Sequence, residues 1–130
     1  MTKRHTQTID IAGYTKASLY VTSNAYFEQK LRLMCDEVDG MEIPPESSGP
    51  NPGKTPDRKW VELTNIPLPT LEGSTTITLL FELHYVTDDG SVLPHQGVRC
   101  TNSSSKYVIS ANDNDSDDDY NDTQIVIELS

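Results

Sequence analysis

Between residues 74 and 86 the chain alternates apolar and polar side chains with a period of two. Ile77, Leu79, Phe81, Leu83 and Tyr85 share one parity, and Thr76, Thr78, Leu80, Glu82 and His84 share the other. In an extended strand this spacing gathers one parity on each face, whereas helical faces recur about every 3.6 residues. Shorter stretches with the same period lie at 7–11, 17–23, 28–35, 59–63, 98–101, 106–111 and 123–129. In the second of these Ala17, Leu19 and Val21 are expected to point inward, and in the third Leu31, Leu33 and Cys35. No segment carries a helical pattern. Sheets with one apolar face must cover each other, so the expected fold class is all-β, an antiparallel β-sandwich of about eight or nine strands.

The punctuation fits strands joined by turns. Asp88-Asp89-Gly90 is a hairpin signal, followed by a strand start at Ser91 and Val92. Pro67 and Pro69 are expected to interrupt the pattern and to mark an edge or a crossover between sheets. Five of the eight prolines fall within residues 41–57, which predicts a long irregular excursion there. A length of 130 residues suits one domain, expected over 1–130.

Charge narrows the partners. Twenty acidic against ten basic side chains give a net charge of −10, which argues against a nucleic-acid backbone or an anionic membrane surface as ligand. No apolar run is long enough to cross a bilayer, so no membrane insertion is expected. The first residues lack the apolar core of a signal peptide, so a cytoplasmic location is expected, or export by a route that uses no signal peptide. Cys35 and Cys100 are too few for a disulfide framework and are expected to be two half-buried thiols.

Six aspartates, Asp113, Asp115, Asp117, Asp118, Asp119 and Asp122, lie within ten residues between two predicted strands. Two unit charges about 4 Å apart repel by roughly 1 kcal/mol in water, and by more at a protein surface. An ordered loop of this composition would destabilise itself unless a cation lay within it. Calcium fits the donors, because it takes six to eight carboxylate, carboxamide and backbone oxygens in flexible geometry. The segment is not an EF-hand: Asp118 stands where the loop glycine is needed, and Gln124 where a bidentate glutamate is needed. A solvated acidic loop is the plain alternative. Against it, the segment is tightly bounded by strands, contains Tyr120 and Asn121, and leads at once into Ile125-Val126-Ile127. Six carboxylates exceed what one ion needs, so two adjacent ions sharing aspartates are expected.

The run Asp117-Asp118-Asp119-Tyr120-Asn121-Asp122, continued by Thr123-Gln124-Ile125-Val126-Ile127, resembles the C-terminal signature of the bacterial calcium-mediated lectins that bind fucose and mannose through two calcium ions. Upstream, Leu19-Tyr20-Val21-Thr22-Ser23-Asn24 is similar to that family's early strand, which ends in an asparagine that ligates calcium. Carried over by position, the resemblance implies that Asp113, Asp117, Asp119, Asn121 and Asp122 hold two Ca2+ ions, with Asn24 completing one of them. Asp113 stands where the family has a glutamate. Asn114 falls where an aspartate hydrogen-bonds the sugar, and Ala25 and Tyr26 fall on the specificity loop. The implied partner is a fucose- or mannose-like glycan, read by direct coordination of its hydroxyls, and the implied assembly is a homo-oligomer.

No catalytic constellation competes with this. His5, His84 and His95 are scattered and expected to be structural. No Gly-x-Ser-x-Gly elbow occurs. Glycoside cleavage needs two acids in contrasting surroundings, and aspartates packed this densely read as ligands instead. The expected function is therefore non-catalytic, calcium-dependent carbohydrate binding. A calcium-stabilised structural or assembly module that has lost sugar binding is the rival, favoured by Asn114 and Tyr26.

Overall fold

A strand with one apolar parity buries that face against another sheet, and the described residues form nine strands in two sheets. The computed structural model describes residues 4–23, 28–43, 58–69, 75–87, 89–95, 97–112 and 123–130. In chain order the strands are β1 (Arg4–Asp10), β2 (Lys16–Ser23), β3 (Glu28–Met34), β4 (Arg58–Pro67), β5 (Thr76–Val86), β6 (Val92–Pro94), β7 (Gly97–Ser103), β8 (Lys106–Asn112) and β9 (Thr123–Leu129). One sheet runs β1-β5-β3, with β6 also paired to β5, and the other runs β4-β2-β9-β8-β7. Every pairing is antiparallel. The fold is the all-β sandwich that the period-two pattern predicts.

The alternation does the packing. Ile77, Leu79, Phe81 and Leu83 of β5 join Ile9, Leu31 and Leu33 on the inner face of the first sheet. Against them the second sheet sets Leu19, Val21, Ile109, Ile125 and Ile127, all fully buried. Each such side chain contributes roughly 1.5–3 kcal/mol through the apolar area removed from water. On the outer face of the first sheet, Glu82 lies between Arg4 (3.5 Å) and Arg32 (3.9 Å), its pairing partners on β1 and β3. Glu82 is itself largely buried, so the two arginines offset the cost of taking its charge out of water.

Four expectations are corrected. The strand predicted at 59–63 continues to Pro67, because a bulge restores its parity. Leu19 pairs with Leu63 but Ala17 with Ile66, so β4 spends one extra residue, and Asn65 there has φ of 56°. That step returns Ile66 and then Leu68 to the core. The chain crosses to the other sheet only after β4, which is an edge strand as the prolines suggested, so Pro67 is tolerated as its last residue. Second, β1 covers Arg4–Asp10 in place of 7–11, and Ile11 is buried just beyond the strand. Third, the Pro-rich excursion opens inside the core: Met41 and Ile43 are buried, and Ile43 exchanges backbone hydrogen bonds with Leu33 at 2.8 and 3.0 Å. Residues 44–57 lie outside the described residues. Fourth, only Cys100 is half-buried. Cys35 is fully buried, burial pushes its thiol up to about 11, and both cysteines are free.

The hairpin between β5 and β6 is built on Asp89. Its carboxylate accepts hydrogen bonds from the Thr87 hydroxyl and, at 3.0 Å, from the Ser91 N–H, while Gly90 takes the positive φ of 86° that the turn requires. Those bonds hold the Asp89 carboxyl at about 2, below the usual 3.8.

Two outcomes are expected. Asn65→Val, which puts a β-branched residue in the left-handed region, should lower unfolding free energy in urea by about 1–2 kcal/mol, while Asn65→Gly stays close to wild type. Because folding depresses the Asp89 pKa, its contribution is present above about pH 4 and is lost as the pH falls through about 2. The stability difference between wild type and Asp89→Ala should therefore shrink on titration from pH 6 to pH 2; a constant difference would remove the carboxylate from the account.

Candidate functional site

The nine residues singled out by sequence, Asn24, Ala25, Tyr26, Asp113, Asn114, Asp117, Asp119, Asn121 and Asp122, lie outside the described residues, as does Asp88 of the hairpin signal. What the structure defines is the framework to which their segments are attached. Residues 24–27 follow Ser23, the last residue of β2, and precede Glu28, the first of β3. Residues 113–122 lie between Asn112 of β8 and Thr123 of β9. β2, β9 and β8 are consecutive in the five-stranded sheet. Ser23 is the direct partner of Thr123, and Thr123 in turn of Ala111. The 24–27 segment thus leaves, and the 113–122 segment leaves and re-enters, at one end of the five-stranded sheet, although about a hundred residues of chain separate Asn24 from Asp122.

The interior changes character at this end. Ser23, Gln29 and Thr123 occupy inward positions and are buried, at 4%, 0% and 1% exposure, where most of the other inward positions of these strands hold Leu, Val or Ile. Uncompensated burial of an amide or a hydroxyl costs about 1–3 kcal/mol, so such groups are retained only where they are bonded. Thr123 Oγ1 donates to Gln29 Oε1 at 2.6 Å, and this bond crosses from β9 in one sheet to β3 in the other. Gln29 also pairs with Tyr85, whose ring meets the buried His95 edge-on at 5.7 Å. His95 N–H donates to Leu83 O at 3.1 Å, which seats the start of the 95–97 connection on β5. The same end carries the β5–β6 hairpin, where Val86 pairs with Val92.

Gln29 and Thr123 were not singled out by sequence, yet a signal existed. Residue 29 has the inward parity of Leu31 and Leu33, and residue 123 that of Ile125 and Ile127, so polar side chains there are exceptions to the pattern that defines the strands. His84 is half-buried on the outer face, with its pKa lowered by desolvation, and His5 stacks on Phe81 at 5.4 Å.

The donor chemistry attached to this end suits a hard cation. The two segments supply carboxylates and carboxamides, the oxygen donors that calcium prefers. Among the described residues no group of three or more His, Cys, Asp or Glu could hold a metal ion.

No family model matches the sequence, and no curated protein matches it. Solved structures do. A Chromobacterium violaceum lectin in complex with α-methyl-fucoside superimposes with a TM-score of 0.53 at 15% identity, over 95% of this chain and 95% of that one. A Ralstonia solanacearum high-affinity mannose-binding lectin gives the same TM-score of 0.53, with 15% identity and 95% of each chain covered. At such identity the likeness is one of fold, and along nearly its whole length this chain has the fold of bacterial fucose- and mannose-binding lectins.

Proposed function

We propose that this chain is a non-catalytic, calcium-dependent carbohydrate-binding protein with a single binding domain. The observation that carries the proposal is the pairing of Ser23 with Thr123, which roots the 24–27 segment and the acidic 113–122 segment side by side at one end of a sandwich. The shared fold adds support, since one solved lectin of that fold is in complex with α-methyl-fucoside and another is a mannose-binding lectin.

In this reading Asp113, Asp117, Asp119, Asn121 and Asp122, with Asn24, hold two calcium ions. Asn114, Ala25 and Tyr26 contact the sugar. Bound calcium would supply coordination positions at which a vicinal pair of hydroxyls displaces water. The chain's own part is to gather carboxylates that repel each other when empty and to hold them on a rigid frame. Stereochemical selection follows, because only sugars with a suitably spaced hydroxyl pair satisfy fixed positions; the choice of fucose- or mannose-like glycans comes from the family resemblance and from the ligands of the solved lectins. A homo-oligomer would raise a weak single-site affinity by multivalent display.

Two outcomes are expected. Calcium that binds only the folded state stabilises it by RT ln(1 + [L]/Kd), about 2.7 kcal/mol at a hundredfold excess over Kd. Melts of the wild type in millimolar calcium should therefore exceed those in chelator, and Asp119→Ala should lose that increment. An unchanged increment in Asp119→Ala would refute its assignment as a ligand. On a glycan array, fucose- or mannose-terminated glycans should be retained in calcium and released by chelator; silence in both conditions beside a normal calcium melt would point to the structural module.

A further inference from the structure

From Asp89 to Leu93 every residue is exposed and Pro94 is half-buried, so His95, at 2% exposure, is the one buried side chain of the stretch 89–95. Val92 and Leu93 leave 52% and 40% of their surface in water, and β6 spans only three residues. A backbone ladder joins β6 to β5, from Thr87 N–H to Ser91 O at 2.9 Å as far as His95 N–H to Leu83 O at 3.1 Å. The imidazole seats the far end of that ladder. It lies opposite the inward-facing Leu83 and meets the buried Tyr85 ring edge-on at 5.7 Å. So short a strand, docked through one buried side chain, depends on that side chain for its place.

An apolar anchor would work at any pH, but an imidazole works only while neutral. Burial penalises the charged form, whereas an exposed histidine takes up a proton at about pH 6.5. Tyr85 is the titratable group that β5 turns toward His95. The polar inward residues at this end, Gln29 of β3 and Thr123 of β9, carry no charge. Glu28, Lys30, Glu82 and His84 take the opposite parity of β3 and β5, and Arg99 of β7 is exposed. Among the described residues of β3, β5 and β9, no charged side chain therefore shares the inward face on which an imidazolium would form. The Asp89 carboxyl, held at about 2, stays ionised near neutral pH, so the bonds of the turn do not titrate together with a histidine.

We infer that His95 makes the docking of β6 acid-sensitive: the neutral ring anchors the strand on β5, and the protonated ring leaves the interior and releases it, opening the edge of β5 from Leu83 to Val86. The released form holds one proton more than the docked form. Release therefore grows as the pH falls below about 6.5, by about tenfold per pH unit at most.

The test is amide hydrogen exchange of the full chain, read by NMR in calcium-free buffer at about pH 7, 6 and 5, with each rate compared with that of an unstructured peptide at the same pH. Protection of the Thr87 and His95 amides should fall about 5- to 10-fold over the last unit, while that of Leu33, bonded to Ile43 at 3.0 Å in another part of the sheet, stays constant. His95→Leu should hold the protection of Thr87 constant with pH, and His84→Gln should keep the wild-type fall. Unchanged protection in the wild type, an equal fall in His95→Leu, or an equal fall at Leu33 would each overturn the inference. If His95→Leu does not fold, the ring resonances of the wild type decide. His95 should take up its proton at a lower pH than an exposed histidine; a ring that charges like an exposed one while the ladder stays protected removes the anchor from the account.

Discussion

The mutual burial of two apolar sheet faces is the constraint from which the rest of this protein follows. Ile77, Leu79, Phe81 and Leu83 on one side, and Leu19, Ile109, Ile125 and Ile127 on the other, can leave water only if both sheets keep their registers. A one-residue slip would turn every apolar side chain of a strand outward. Register is therefore strongly specified along the interior, and with it the place where each strand ends. The bulge at Asn65 belongs to the same logic: β4 accepts a residue with positive φ because the step returns Ile66 and Leu68 to the core.

Precision at one end of the sandwich is a consequence. Because Ser23 must lie opposite Thr123 for Val21 to lie opposite Ile125, the segments beyond Ser23 and before Thr123 begin at neighbouring points. A cluster of carboxylates unfavourable alone can be tolerated at such a place if a cation offsets the repulsion, and a rigid frame keeps the ligands from having to be ordered on binding. The apolar core gives way here to Gln29, Thr123 and Ser23.

Fold and function rest on different kinds of support. The likeness to the solved lectins spans nearly the whole chain at 15% identity, which is what a fold maintained by face alternation permits, since many apolar residues satisfy the same parity. The ligands in the proposed function are oxygen-bearing residues, concentrated in Asp113 to Asp122, whose chemistry cannot be exchanged so freely.

Alternation is a local property, so the sequence by itself determined most strands, the inward faces of 17–23, 28–35 and 74–86, the hairpin at Asp89-Gly90 and the edge marked by Pro67. It also carried the candidate donors, because a dense run of aspartates is legible without any contact. It did not disclose that β4 outlasts Leu63, since a bulge at Asn65 breaks the very periodicity by which strands are recognised. Nor did it disclose that Met41 and Ile43 are core residues, because Leu33, the partner of Ile43, lies in another element. Which strands share a sheet, that Ser23 meets Thr123, and that Gln29 finds a hydroxyl across the sandwich were decided only by tertiary structure. Each of these is a relation between residues far apart in the chain, and only the joint burial of all the strands selects it.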